Sequence, residues 1–111
     1  MNKEFNCPVE ATISLIGGKY KSVILFHLMG KTLRYSELHK KIPKATDKML
    51  AQQLRELEKD GLIKRTVYPV VPPKTEYNLT EFGESLSPIL NAMCNWGESY
   101  LNILSQCVEE L

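Results

Sequence analysis

Four long polar side chains, Lys48, Gln52, Arg55 and Lys59, recur at i, i+4, i+7 and i+11 with no carboxylate among them. On a helix of about 100° per residue they form one line, opposite Leu50, Leu54 and Leu57. Arg offers a two-pronged fork that matches guanine, the Gln amide pairs with adenine, and the Lys ammonium neutralises a phosphate. Such a line suits the major groove of double-stranded DNA, although a solvated face of an amphipathic helix carries the same residue types. Lys40, Lys41 and Lys44 lie before or at the turn leading into this segment, where a preceding helix would cross the phosphate backbone. Lys64, Arg65 and Lys74 flank or end a hairpin that could reach a neighbouring groove or phosphate, or carry ordinary solubilising charge.

Other chemistry is poorly supported. Cys7, Cys94 and Cys107 are an odd number without CxxC spacing or nearby His, which argues against a disulfide scaffold and against a metal site. His39 has no nucleophile signature beside it, and His27 falls on an apolar helical face and reads as a hydrogen-bonded core residue. With no convergent acid, base or nucleophile set, neither enzymatic activity nor a cofactor is expected.

The elements that must position the polar line can be read locally. Val9 to Ile16 forms a short helix stopped by Gly17-Gly18, and Lys19 to Met29 forms a second, with Tyr20, Val23, Ile24, His27 and Leu28 on its buried face and Gly30 beyond it. After an extended piece, Thr32 to Arg34, a helix over Ser36 to Ile42 starts on Ser36 as cap and stops at Pro43. Thr46 caps the polar-lined helix, Asp47 to Asp60, and Gly61 ends it. Two helices joined by a turn of about four residues make a helix-turn-helix candidate. Leu62 to Tyr68 and Thr75 to Leu79 then read as a β-hairpin, its connection Pro69-Val70-Val71-Pro72-Pro73-Lys74 stiffened by three prolines. Thr80 caps a last element running toward Val108, with Pro88 imposing a kink or fresh start. There Leu86, Leu90, Met93, Tyr100 and Leu104 form one apolar stripe, and Ile89, Trp96 and Ile103 another beside it. A face this wide exceeds what a small domain covers and favours a partner helix from a second copy.

The chain has 111 residues, 43% hydrophobic and 24% charged, within the range of one compact domain. Its net charge of +1 conceals an asymmetry: residues 31–65 hold ten basic and five acidic side chains, and residues 66–111 hold one and six. The longest apolar run, Val23 to Phe26, is far short of the roughly 20 residues of a membrane span, and the first ten residues lack a signal-like apolar region. A cytoplasmic location with no membrane partner is expected.

Four stretches carry a resemblance: Gly17-Gly18-Lys19-Tyr20, Leu33 to Leu38, the run from Lys48 through Gln52-Gln53-Leu54-Arg55 to Ile63, and Tyr68 to Thr80. Together they resemble the HxlR-type branch of the MarR-like winged-helix regulators over roughly residues 7–104. The fold expected is mainly α with a small β-hairpin (α+β), a winged helix-turn-helix with N- and C-terminal dimerisation helices. One domain over 1–111 would hold the helix-turn-helix at about 36–60, the wing at about 62–79 and the dimerisation helix at about 80–108. The resemblance implies a dimeric bacterial transcription regulator whose Met49-containing helix enters the major groove of a pseudo-palindromic operator. The alternative is a winged helix that binds protein and not DNA, which would not need the carboxylate-free line. Tyr20 departs from the family's usual Trp, Tyr35 from the common Phe, and Val70 from a frequent acidic residue.

The candidate DNA-contacting set is therefore Lys40, Lys44, Thr46, Lys48, Gln52, Gln53, Arg55 and Lys74. The candidate dimerisation set is Leu86, Ile89, Leu90, Met93, Trp96, Tyr100 and Leu104. Cys7-Pro8 also matches the family, in which a cysteine before the first helix serves some members as a sensor of oxidants or small electrophiles. Lys3 is a nearby cation that would favour its thiolate, while the plainer reading makes Cys7 a small buried hydrophobe. Cys94 and Cys107, thirteen residues apart, would lie about 20 Å apart on one straight helix, too far for a bridge.

Overall fold

The computed structural model describes residues 4–109. Helix α1 (Pro8–Ile16) starts at a proline, whose missing N–H costs nothing in a first turn, and leads through a tight corner into α2 (Lys21–Leu28). Strand β1 (Leu33–Arg34) runs directly into α3 (Tyr35–Lys41), and α4 (Asp47–Lys59) follows the turn. The hairpin of β2 (Ile63–Tyr68) and β3 (Lys74–Leu79) comes next, then the short α5 (Glu81–Glu84) and the long α6 (Ser87–Glu109).

Local signals set most of these boundaries. The Thr46 hydroxyl accepts the Met49 N–H at 3.1 Å, and the Thr80 hydroxyl accepts the Gly83 N–H at 3.0 Å while donating to the Gly61 carbonyl at 2.6 Å. Gly30 and Gly61 take φ of 65° and 77°, a left-handed conformation that a side chain would disfavour, so the chain turns at both. Pro88 gives a fresh start: α5 ends before it and α6 begins at Ser87.

Three local expectations are corrected. Helix α3 starts one residue early, and its cap is not Ser36: the Glu37 carboxylate accepts the Arg34 N–H at 2.8 Å. The buried face of α2 is Ile24, Leu25 and Leu28, with Lys21 also buried, whereas Val23 is exposed. His27 is only half-buried, its ring set edge-on to Phe26 at 5.8 Å, and desolvation together with Lys41 and Lys31 pulls its pKa below 6.5. The wing is also more than a hairpin. The expected extended piece becomes β1, which pairs antiparallel with β3 (Leu33 opposite Tyr77), giving a three-stranded sheet in the order β1-β3-β2.

The core lies where α2, α3 and α4 meet the base of the sheet. Ile24, Leu25, Leu28, Leu38, Leu50, Leu57 and Leu62 are fully buried there, and Leu90 enters from α6. Leu50, Leu54 and Leu57 take the inward side of α4, so the helix necessarily turns its opposite side to solvent.

Candidate nucleic-acid interface

Lys48, Gln52, Arg55 and Lys59 are all exposed along that outer side. What clears the line of negative charge is the disposition of its neighbours. Glu58 turns to the sheet, where its carboxylate meets Arg65 Nε at 3.3 Å, and Glu56 turns to the other flank, where it meets Lys21 Nζ at 3.1 Å. At the head of the helix, Asp47 accepts the Tyr35 phenol at 2.8 Å and lies 3.2 Å from His39 Nδ1. Burial first, and then this hydrogen bond to Asp47, push the Tyr35 pKa up to about 12, so the phenol stays protonated as a donor. His39 Nε2 lies 2.9 Å from the Ala45 carbonyl, so the imidazole links α3 to the far end of the turn that leads into α4. Sequence reading set His39 aside as a catalyst without seeing this role, since nothing local pairs residue 39 with residues 45 and 47.

The remaining candidates divide. Lys40 and Lys44 are exposed on α3 and the turn, and Thr46 is exposed while serving as a cap. Gln53 is a correction. It does not lie on the outer line: its Oε1 accepts the Tyr20 N–H at 3.1 Å, at the flank facing α2. Lys74 is half-buried and engaged, with its ammonium 3.2 Å from Glu76 Oε2 and 5.2 Å from the centre of the Tyr68 ring. The hydrogen bond from Lys74 is the main reason the Glu76 carboxyl sits below its ordinary range. Beyond it the wing tip is apolar, with Val71 fully exposed.

At the opposite end, α6 carries the wide apolar face. Ile89, Met93, Trp96, Tyr100 and Leu104 are exposed, and the Trp96 and Tyr100 rings stack at 5.7 Å. Leu90 is corrected: it is 2% exposed within the domain's own core, while Leu86 is half-buried and packs against that core with part of its surface. Leu101 on α6 and Val9 and Ile13 on α1 also belong to the exposed apolar surface, though none of them is in the candidate dimerisation set. Cys7 is exposed at the head of α1, in place of the buried position of the plainer reading. Lys3, named as its neighbouring cation, lies outside the described residues. Cys94 is half-buried and Cys107 exposed, both on the continuous α6. Among the described residues no helix is long and apolar enough to cross a membrane.

A helix-turn-helix whose second helix turns an unbroken polar line to solvent, followed by a projecting β-hairpin, defines the class: a winged helix-turn-helix protein. Residues 15–105 match the model of the HxlR-like helix-turn-helix family, and the chain belongs to that family. It is 55% identical over 100 residues to the HTH-type transcriptional regulator YtcD of Bacillus subtilis (strain 168), covering 90% of this chain and 79% of YtcD. An HTH-type regulator of Methanothermobacter thermautotrophicus is 54% identical over 97 residues, covering 87% of this chain and 74% of the relative. Among solved structures, the redox regulator HypR in its oxidized form superimposes with a TM-score of 0.80 at 50% identity, over 84% of this chain and 96% of HypR.

Proposed function

We propose that this protein is a sequence-specific DNA-binding transcriptional regulator that acts as a homodimer on a pseudo-palindromic operator, with α4 in the major groove. The observation that carries the reading is the outer side of α4: four exposed donors in line, with the adjacent carboxylates of Glu56 and Glu58 held on cations off that line. Lys48, Gln52, Arg55 and Lys59 take the groove, while Lys40, Lys44 and Thr46 meet phosphates beside it. Lys74 contributes from the wing once it exchanges Glu76 for a phosphate. The exposed faces of α1 and α6 supply the dimer contact. The reading assigns the protein to the cytoplasm, to one domain, and to no catalytic activity.

Cys7, exposed at the start of α1, is proposed as the thiol through which an oxidant or small electrophile alters DNA binding. Its position and the likeness to HypR, described as a redox regulator, support this. The test is selection of genomic fragments by the purified protein at physiological salt, with and without oxidant. Enrichment of one inverted repeat, with enrichment altered by oxidant, is the expected result. Enrichment no better than random fragments contradicts the DNA reading, and enrichment indifferent to oxidant contradicts the thiol.

A further inference from the structure

Leucines fix how deeply α4 sits in the domain and which side it turns to solvent, but burial is non-directional and defines its fine roll and slide less closely. Directional bonds must set those. On the sheet side α4 is held by Glu58 and Arg65. On the other side two residues one turn apart, Gln53 and Glu56, reach across to the corner between α1 and α2, which lies 33 and 35 residues earlier in the chain.

That corner is itself rigid. The Gly17 N–H donates to the Ile13 carbonyl at 2.7 Å, and the Ser22 hydroxyl donates to the Ile16 carbonyl at 2.9 Å, tying α2 to the end of α1. Tyr20, the N-cap residue of α2, makes no side-chain cap, and while the Lys21 N–H finds the Gly18 carbonyl at 3.3 Å, the Tyr20 N–H takes its acceptor from elsewhere in the chain. Gln53 Oε1 supplies one to the Tyr20 N–H, and Gly18 makes room for it: a Cβ at position 18 would stand 2.6 Å from that oxygen. Beside it Lys21, only 7% exposed, places its ammonium on Glu56. A buried ammonium is costly unless paired, so Lys21 holds Glu56 in place wherever the corner goes. The second Glu56 oxygen is shut off from solvent and has no hydrogen-bond partner among the described residues.

The corner belongs to the α1 side of the molecule, which the dimeric reading above makes part of the platform shared between subunits; the inference rests on that reading. We propose that Gln53 and Glu56 are positioning residues that lock α4 to the α1–α2 corner and so set the separation and rotation of the two reading helices, which makes them determinants of half-site spacing. Neither needs to touch DNA. One base pair of spacer shifts the half-sites by about 3.4 Å and rotates them by about 34°, so a locked α4 discriminates between spacers and a loosened one tolerates them.

The experiment starts from an inverted repeat that the wild-type protein selects from a random duplex pool. Affinities are then measured for that repeat, for versions one base pair longer and shorter, and for a single half-site. Gln53→Met keeps the length of the side chain and removes the acceptor, and Gln53→Glu restores an acceptor oxygen. The expected result is that Gln53→Met binds the single half-site as wild type does but loses about tenfold of its preference for the selected spacer, comparable to one lost base contact, while Gln53→Glu keeps it. Glu56→Gln, a substitution at a half-exposed side chain, should lose part of the same preference, and decides the matter alone if Gln53→Met does not fold. Unchanged spacer preference in a folded variant overturns the proposal. So does a loss of half-site affinity as large as the loss of spacer preference, which a merely structural role would give. If the wild type selects no repeat, the DNA-binding reading falls, and the spacing role falls with it.

Discussion

At Cys7 the surroundings decide more than the residue type. A thiol inside a core is inert, but this one stands exposed at the N-terminal end of α1. Cys7→Ser should leave DNA affinity under reductant unchanged and abolish the response to diamide, read by mobility shift on the selected operator. A variant that still responds removes Cys7 from the role. Polar side chains were the least legible feature of the sequence. Gln53 and Gln52 are adjacent and chemically identical, yet one meets solvent and the other meets the Tyr20 N–H, because a 100° step carries Gln53 to the flank facing α2. Lys21 is similar: its period puts it on the face of Ile24, Leu25 and Leu28 while its charge assigns it to the surface, and its partner Glu56, remote in sequence, accounts for its burial.

Among the elements, those specified by neighbouring residues were readable and those specified by distant ones were not. Helix α4 was legible throughout, since its cap Thr46, its terminating Gly61 and its leucine spacing all lie within sixteen residues. Strand β1 was not, because two residues carry no periodicity and its identity comes from pairing with β3, over 40 positions away. Helix α2 misled for a related reason. Its apolar residues run almost all round, so composition did not say which side the core would take, and His27 ended at its margin. That position has a consequence for stability. The folded state holds the His27 pKa below 6.5, so the unfolded chain binds the proton more readily. The contribution of His27 is therefore complete above about pH 6.5 and is lost as pH falls through the lower folded value. Urea unfolding between pH 7.5 and about pH 5 should show stability declining on acidification, with a shallower decline in His27→Gln; equal declines would show that His27 is not the cause.

For the molecule as a whole, the charge asymmetry and the apolar surplus lie on different elements. The basic residues gather on α3, α4 and the wing, while α6 is acidic and apolar and sends Leu90 into the domain core but leaves Trp96, Tyr100 and Leu104 outside. Such a division suits a dimer that pairs through α6 and presents two α4 helices to one duplex. Trp96→Glu, which places a charge at the centre of that apolar face, should shift the protein from dimer to monomer in sedimentation velocity without unfolding it; a variant that stays dimeric would move the contact elsewhere. The most direct test of the outer line of α4 is the affinity of wild type and Arg55→Ala for the selected operator, permuted one base pair at a time. The wild type should lose about 1–3 kcal/mol at each read position, and Arg55→Ala should lose its discrimination at one position in each half, the two related by the dyad, while keeping the others. Base preferences that are identical in the two proteins at every position would contradict the account.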